Sequence, residues 1–292
     1  MSYQVTVYID YPNNDYEHLT QRFHNNDISL SYDHDHLEQL YGVIFSNHIE
    51  SLNNIDKIAR RLFSLQTLLT GARFIELGHE THRRIQFDKF KLEGHNMLPD
   101  GIHKVHADSI EEYPFEGTEE ENQKKPNIYL PADLDSVLFS VSKIDYIIRN
   151  LLFQAGMIRT YKSSDKILTW NTLYKIADTV KFGCGEIGIK IEDLIDNSDI
   201  NRFTSACNNA LVLGINARHG LNKKNKIPKK QPITDINQAV DLILCLAKKF
   251  AIQYITSKQY VIVNDASQDK CKAIETTQVQ IQNDLSRFDE EQ

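Results

Sequence analysis

The chain has 292 residues with a formal net charge of −7; 41% are hydrophobic and 25% charged. That length suits one large domain or two ordinary ones, each able to bury a core, and the composition is that of a globular protein in water. The acidic balance argues against a general coat for nucleic acid, no run of about 18 apolar residues marks a membrane helix, and the opening MSYQVTVYIDYP has neither the basic start nor the apolar core of a secretory signal.

Residues 3–11 are rich in Val, Ile and Tyr and predict a strand, stopped by Pro12, Asn13 and Asn14. Residues 27–32 predict a second strand, and 37–45 is too short a run to separate strand from helix. Residues 55–69 predict a helix whose stripe is Ile55, Ile58, Leu62, Leu65, Leu68 and Leu69, with Gly71 as its stop. Strands are expected over 72–77 and 81–91. Residues 108–131 carry seven acidic side chains and few aliphatic ones, which predicts an exposed linker or surface loop and a domain boundary.

Beyond that boundary the periodicity is helical. Long helices are predicted over 133–157, 168–182, 201–220 and 234–257, the last capped by Thr234 or Asp235, with a short one over 191–195. The expected architecture is α+β: an N-terminal mixed α/β region (1–107), the acidic segment (108–131), a C-terminal helical bundle (132–257) and an extension (258–292) holding a strand and a polar helix. Cys184, Cys207, Cys245 and Cys271 are scattered without a CxxC pair and read as reduced thiols of a cytoplasmic protein.

Candidate chemistry gathers in 201–220, NRFTSACNNALVLGINARHG. Asn208, Asn209 and Asn216 interrupt an apolar helical pattern, either as a satisfied polar layer or as the lining of a polar pocket. Arg218 and His219 stand in the expected last turn before Gly220, either as charges that complement the helix dipole or as functional groups. Lys223, Lys224, Lys226, Lys229 and Lys230 follow, either a solvated loop or a collector of phosphate backbone. Arg73 and His79 have a loose pairing on an expected strand. The histidines His34, His36, His79, His82, His95, His103 and His106 show no recognisable ligand spacing, so no metal is expected, and no cofactor motif stands in the chain.

Residues 133–257 resemble HEPN-type helical domains of bacterial defence, toxin and RNA-processing proteins. The resemblance rests on the long first helix with Arg149–Asn150, on Trp170–Tyr174 (WNTLY), and on the helix ending Asn216-Ala217-Arg218-His219-Gly220. Active members of that class carry a spaced arginine and histidine; here the two are adjacent. The resemblance implies a prokaryotic or phage conflict-system protein that binds or cleaves RNA without a metal, with Arg218 on phosphate, His219 moving a proton, and Arg149, Asn150, Asn209, Asn216, Lys223 and Lys224 as binding or orienting residues. It also implies a homodimer or a protein partner in a defence complex. The alternatives are a non-enzymatic interaction subunit or inhibitor, and a small-molecule sensor.

Overall fold

The computed structural model describes residues 4–9, 22–23, 27–33, 41–79, 84–93, 101–122, 128–129, 133–159, 163–221, 228 and 230–262. Five strands form one antiparallel sheet in the order β2-β3-β1-β4-β5: β1 (Gln4–Ile9), β2 (Ser29–Asp33), β3 (Tyr41–Phe45), β4 (Phe87–Glu93) and β5 (Gly101–Lys104). One cross-strand row, Leu30–Ile44–Val7–Phe90–His103, runs through the registers of all five. Its aliphatic and Phe90 members are buried, so the alternation of each strand turns this row toward the core. β1 and β2 fall on the strands expected over 3–11 and 27–32, and the described part of the ambiguous run 37–45, Tyr41–Phe45, is a strand.

A short helix α1 (Asn47–Glu50) leads into α2 (Ile55–Leu77), which Asn54 caps by accepting from the Lys57 N–H. Gly71 does not stop α2, and 72–77 is helix rather than the expected strand. The reason lies at a crossing with α5 (Tyr146–Gly156). A β-carbon on Gly71 would fall 1.9 Å from the Leu152 carbonyl oxygen. Gly71 is therefore a contact residue inside a helix, not a terminator.

α4 (Leu134–Ser142) and α5 replace the single helix expected over 133–157. The chain breaks at Lys143–Asp145, and Asp145 caps α5 by accepting from the Ile148 N–H. Its other carboxylate oxygen accepts from Tyr254 at 3.1 Å and Tyr260 at 2.8 Å, which ties the break to the last long helix. α6 (Ser163–Glu186) and α9 (Ile236–Ser257) complete the helical layer. Asp235 is the α9 cap, as one of the two expected residues. Gly183 lies within α6, where a β-carbon would meet the Phe250 ring of α9 at 2.2 Å.

α2 packs along α4, α5 and α9, so the bundle recruits a helix from ahead of the acidic segment. The described part of that segment, 108–122, is a largely exposed surface stretch anchored to the core at a few points. Phe115 is buried within 6 Å of the Phe139 ring and edge-on to Tyr113 and His48. Its carboxylates pair with helix cations: Glu111 with Arg61 at 2.5 Å, and Glu119 of α3 (Glu119–Asn122) with Arg149 at 2.8 Å. The fold is α+β with a helical C-terminal region, and the two parts share one hydrophobic core. Strands β6 (Ile128–Tyr129) and β7 (Val261–Ile262) pair in parallel. Residues 270–287, expected as a polar helix, lie outside the described residues. Among the described residues no helix is long and apolar enough to cross a membrane.

Candidate functional site

The expected helix over 201–220 is broken in the structure. α7 (Asn197–Cys207) ends at Asn208, and Asn209 turns extended with φ −122° and ψ 104°. The Asn209 side chain accepts from the Leu211 N–H and starts α8 (Ala210–Leu213). Adjacent asparagines offer the backbone a side-chain partner in place of the helix ladder, which ends one helix and caps the next. Gly214 then takes φ +58°, a region that a β-carbon disfavours. A 3-10 turn, Gly214–Asn216, follows, and Ala217 is extended.

Arg218 and His219 therefore sit on a bend, not in the last turn of a helix. The Arg218 N–H donates to the Cys207 carbonyl at 2.7 Å, closing the excursion onto the end of α7. The Arg218 guanidinium lies 4.1 Å from the centroid of the Tyr174 ring on α6. Both Arg218 and His219 are exposed. A guanidinium over an aromatic face gains cation–π attraction while its N–H groups can still meet a bidentate oxyanion. Beneath it, burial pushes the Cys207 thiol up to about 12, against the neighbouring Arg218 charge, so it stays a neutral packing group. Leu211, Ile215 and Leu221 stand exposed on the same excursion, Ile215 at 82% and Leu221 at 78%.

The other expected site residues do not converge on this bend. Arg149 is only 3% exposed; it donates to the Ser142 carbonyl at 2.9 Å and to Glu119, with the Tyr113 and Tyr146 rings over it. It fastens the acidic segment to the α4–α5 break. Asn150 accepts from Gln154, which in turn accepts from Thr179 on α6. Asn209 is a buried cap and Asn216 a half-buried turn residue. Lys223 and Lys224 lie outside the described residues. Arg73 is buried on α2, with its Nη1 3.8 Å from Asp135. Its partnership is with a carboxylate from after the acidic segment, not with His79.

Two features have no counterpart in the sequence reading. The first is an ionic knot. Arg22 reaches Glu76 at 3.0 Å and Asp135 at 3.1 Å, the Asp135 N–H donates to Glu76 at 3.0 Å, and Lys248 donates to the Glu76 carbonyl at 3.1 Å. Burial, then the Asp135 charge, raises Glu76 to about 7 despite Arg22. Its members are scattered from position 22 to 248, so no local pattern announces it. The second is a cleft of about 420 Å³ between α2 and α6, where α5 ends. Sets at i, i+3, i+4 and i+7 line it from both helices: Phe63, Gln66, Thr67 and Thr70 on one side, and Leu168, Asn171, Thr172 and Lys175 on the other. Those polar residues at core-facing spacing are the signal that the sequence held.

Comparison with protein-family models, curated proteins and solved structures finds no match.

Proposed function

We propose that the bend at 217–221 is a contact for the phosphate backbone of RNA, with Arg218 as its anchor. The observation that carries this is the Arg218–Tyr174 stack. It seats an exposed guanidinium on an aromatic ring, so less rotamer freedom is left to lose when an oxyanion binds. His219 stands next to it, and the chain continues into the lysines of 222–230. This keeps the RNA role that the HEPN-type resemblance implies and moves it from a helix face to a bend. On a helix, neighbours point about 100° apart; on a bend that objection to an adjacent Arg-His pair no longer applies. The three free thiols among the described residues, Cys184, Cys207 and Cys245, fit a reducing compartment such as the cytoplasm of a prokaryotic host.

The test is fluorescence anisotropy with labelled single-stranded RNA in EDTA at several salt concentrations. The expected result is salt-dependent binding that Arg218→Ala weakens about tenfold and His219→Ala weakens less. Binding untouched by Arg218→Ala, or no binding at low salt, overturns the reading. The same samples run on a denaturing gel show whether RNA is cut, and loss of cutting in His219→Ala assigns it the proton transfer.

A second reading rests on Leu211, Ile215 and Leu221. Three large aliphatic side chains exposed on one short excursion favour a self-association surface, as in the expected homodimer. Light scattering decides it: a dimer that Ile215→Asp converts to monomer supports it, and a monomeric wild type at high concentration removes it.

A further inference from the structure

We propose that the cleft between α2 and α6 is a binding site for a nucleoside monophosphate. It owes its existence to the length of α5. That helix packs against both α2 and α6 and stops at Gly156, while its two neighbours run on. Among the described residues no helix continues α5 into the gap beyond the stop, and Gly156 and Met157 are among the residues that line it. The resulting space of about 420 Å³ lies within the range of small-molecule sites.

The hydrogen bonds that the walls already make show what they have left to offer. The hydroxyls of Thr67 and Thr70 are spent on backbone, at Phe63 and Ile85. Gln66 gives its oxygen to the Phe87 N–H at 2.7 Å, which fixes the orientation of its amide and leaves the NH₂ as a donor. Asn171 gives its NH₂ to the Ile167 carbonyl at 2.9 Å, which leaves its oxygen as an acceptor. One amide donor from α2 and one amide acceptor from α6, in a cleft also lined by Phe63, Leu168 and Met157, match a flat heterocycle with polar groups on two edges and apolar faces.

The charges set the other end of the ligand. Arg84 donates to the Ile158 carbonyl at the end of α5 and lies over the Phe74 ring at 5.5 Å, so it belongs to the wall. Arg159 and Lys175 are exposed at the mouth. Against these three cations stand Asp108 and Asp165, and Asp108 lies 3.5 Å from His106. Among the described residues the exposed cations lining the cleft are therefore Arg159 and Lys175, both at its mouth. That placement suits a heterocycle inside and a single phosphate at the rim, held by Lys175 and Arg159.

Isothermal titration of the full chain with AMP, GMP, CMP and UMP tests the site, with the four nucleosides and inorganic phosphate as separate arms. At least one monophosphate is expected to bind saturably at one site per chain, with its nucleoside about tenfold weaker. Thr172→Trp, which fills the cleft, abolishes binding. Asn171→Leu, which removes the free acceptor, weakens it about tenfold. Lys175→Ala weakens the monophosphate and leaves the nucleoside unchanged. Circular dichroism checks that each variant is folded. No saturable heat from any of the four at millimolar concentration overturns the proposal. So does binding that neither Thr172→Trp nor Asn171→Leu alters, and phosphate alone binding as tightly as the monophosphate removes the heterocycle from it.

Discussion

Gly156 on α5 lies directly against the backbone carbonyl of Thr67 on α2: a β-carbon at 156 would sit 2.0 Å from that oxygen. Gly71 makes the reciprocal approach to Leu152, so the two helices cross on a pair of glycines with backbone touching backbone. The contact is rigid on both sides, because neither partner is the end of a flexible side chain. Gly156→Ala is expected to cost about 3 kcal/mol or more, as overpacking of a closed site does. Gly185 on α6 is the control. A β-carbon there meets nothing within 4 Å, so Gly185→Ala is expected to stabilise by about 0.5–1 kcal/mol through helix propensity alone. Urea denaturation of both variants measures the contrast, and similar midpoints would disprove the close crossing.

The ionic knot makes stability depend on pH in an unusual direction. Glu76 titrates near 7 in the folded chain, above the ordinary 4.5. Between those values the folded chain holds a proton that the unfolded chain has released. Its contribution is complete below about 4.5 and is lost as pH rises toward 7. Glu76→Gln keeps an oxygen for the Asp135 N–H and cannot titrate. Its stability is expected to lack this decline, so the variant gains on the wild type steadily from pH 4.5 to 7.5. Parallel pH profiles for the two proteins would remove Glu76 as the source.

His48 joins the sheet side to the acidic segment. Its Nδ1 accepts from the Glu116 N–H at 3.0 Å, and its Nε2 lies 3.2 Å from Asp27. Burial pushes the Asp27 carboxyl up, but hydrogen bonds from His48 and Lys143 outweigh it and hold the group below its ordinary value. Asp27 thus stabilises the fold above its unfolded value of 3.8, and that stability is lost as pH falls through the lower folded value. His48→Phe keeps a ring beside Phe115 and removes both polar contacts. It is expected to cost about 2–3 kcal/mol near neutral pH, by orphaning a backbone N–H and a carboxylate partner. It should also move the acid unfolding midpoint upward; an unshifted midpoint counts against His48 as the group that holds Asp27.

Tyr174 offers a test of the RNA contact that leaves the arginine in place. Tyr174→Leu removes the ring under Arg218 and is expected to weaken RNA binding about threefold, the scale of an exposed cation–π contact. Tyr174→Phe keeps the ring and should bind as the wild type does. Equal affinity in the leucine variant would mean that the stack does not position Arg218.

Most of what the sequence determined about this protein is local. A run rich in Val, Ile and Tyr marked β1, the apolar stripe marked the first turns of α2, and Thr234–Asp235 marked the start of α9, because backbone period and end caps are short-range physics. The α+β class follows from the same patterns. What the tertiary structure decided are the places where one residue type has two uses. Gly71 reads as a helix stop and is a helix-crossing contact, since the Leu152 backbone that it meets is far away in sequence. Asn208 and Asn209 read as polar members of one helix, yet the local side-chain bond to Leu211 ends that helix and places Arg218 and His219 on a bend. The acidic segment reads as solvated because its charges dominate its composition; only the fold supplies Arg61 and Arg149 to pair with them and a core to receive Phe115. The α2–α6 cleft and the Glu76–Asp135 knot are long-range by construction. The cleft depends on where α5 stops and the knot on which helix ends meet, and both are fixed by packing rather than by any stretch of sequence.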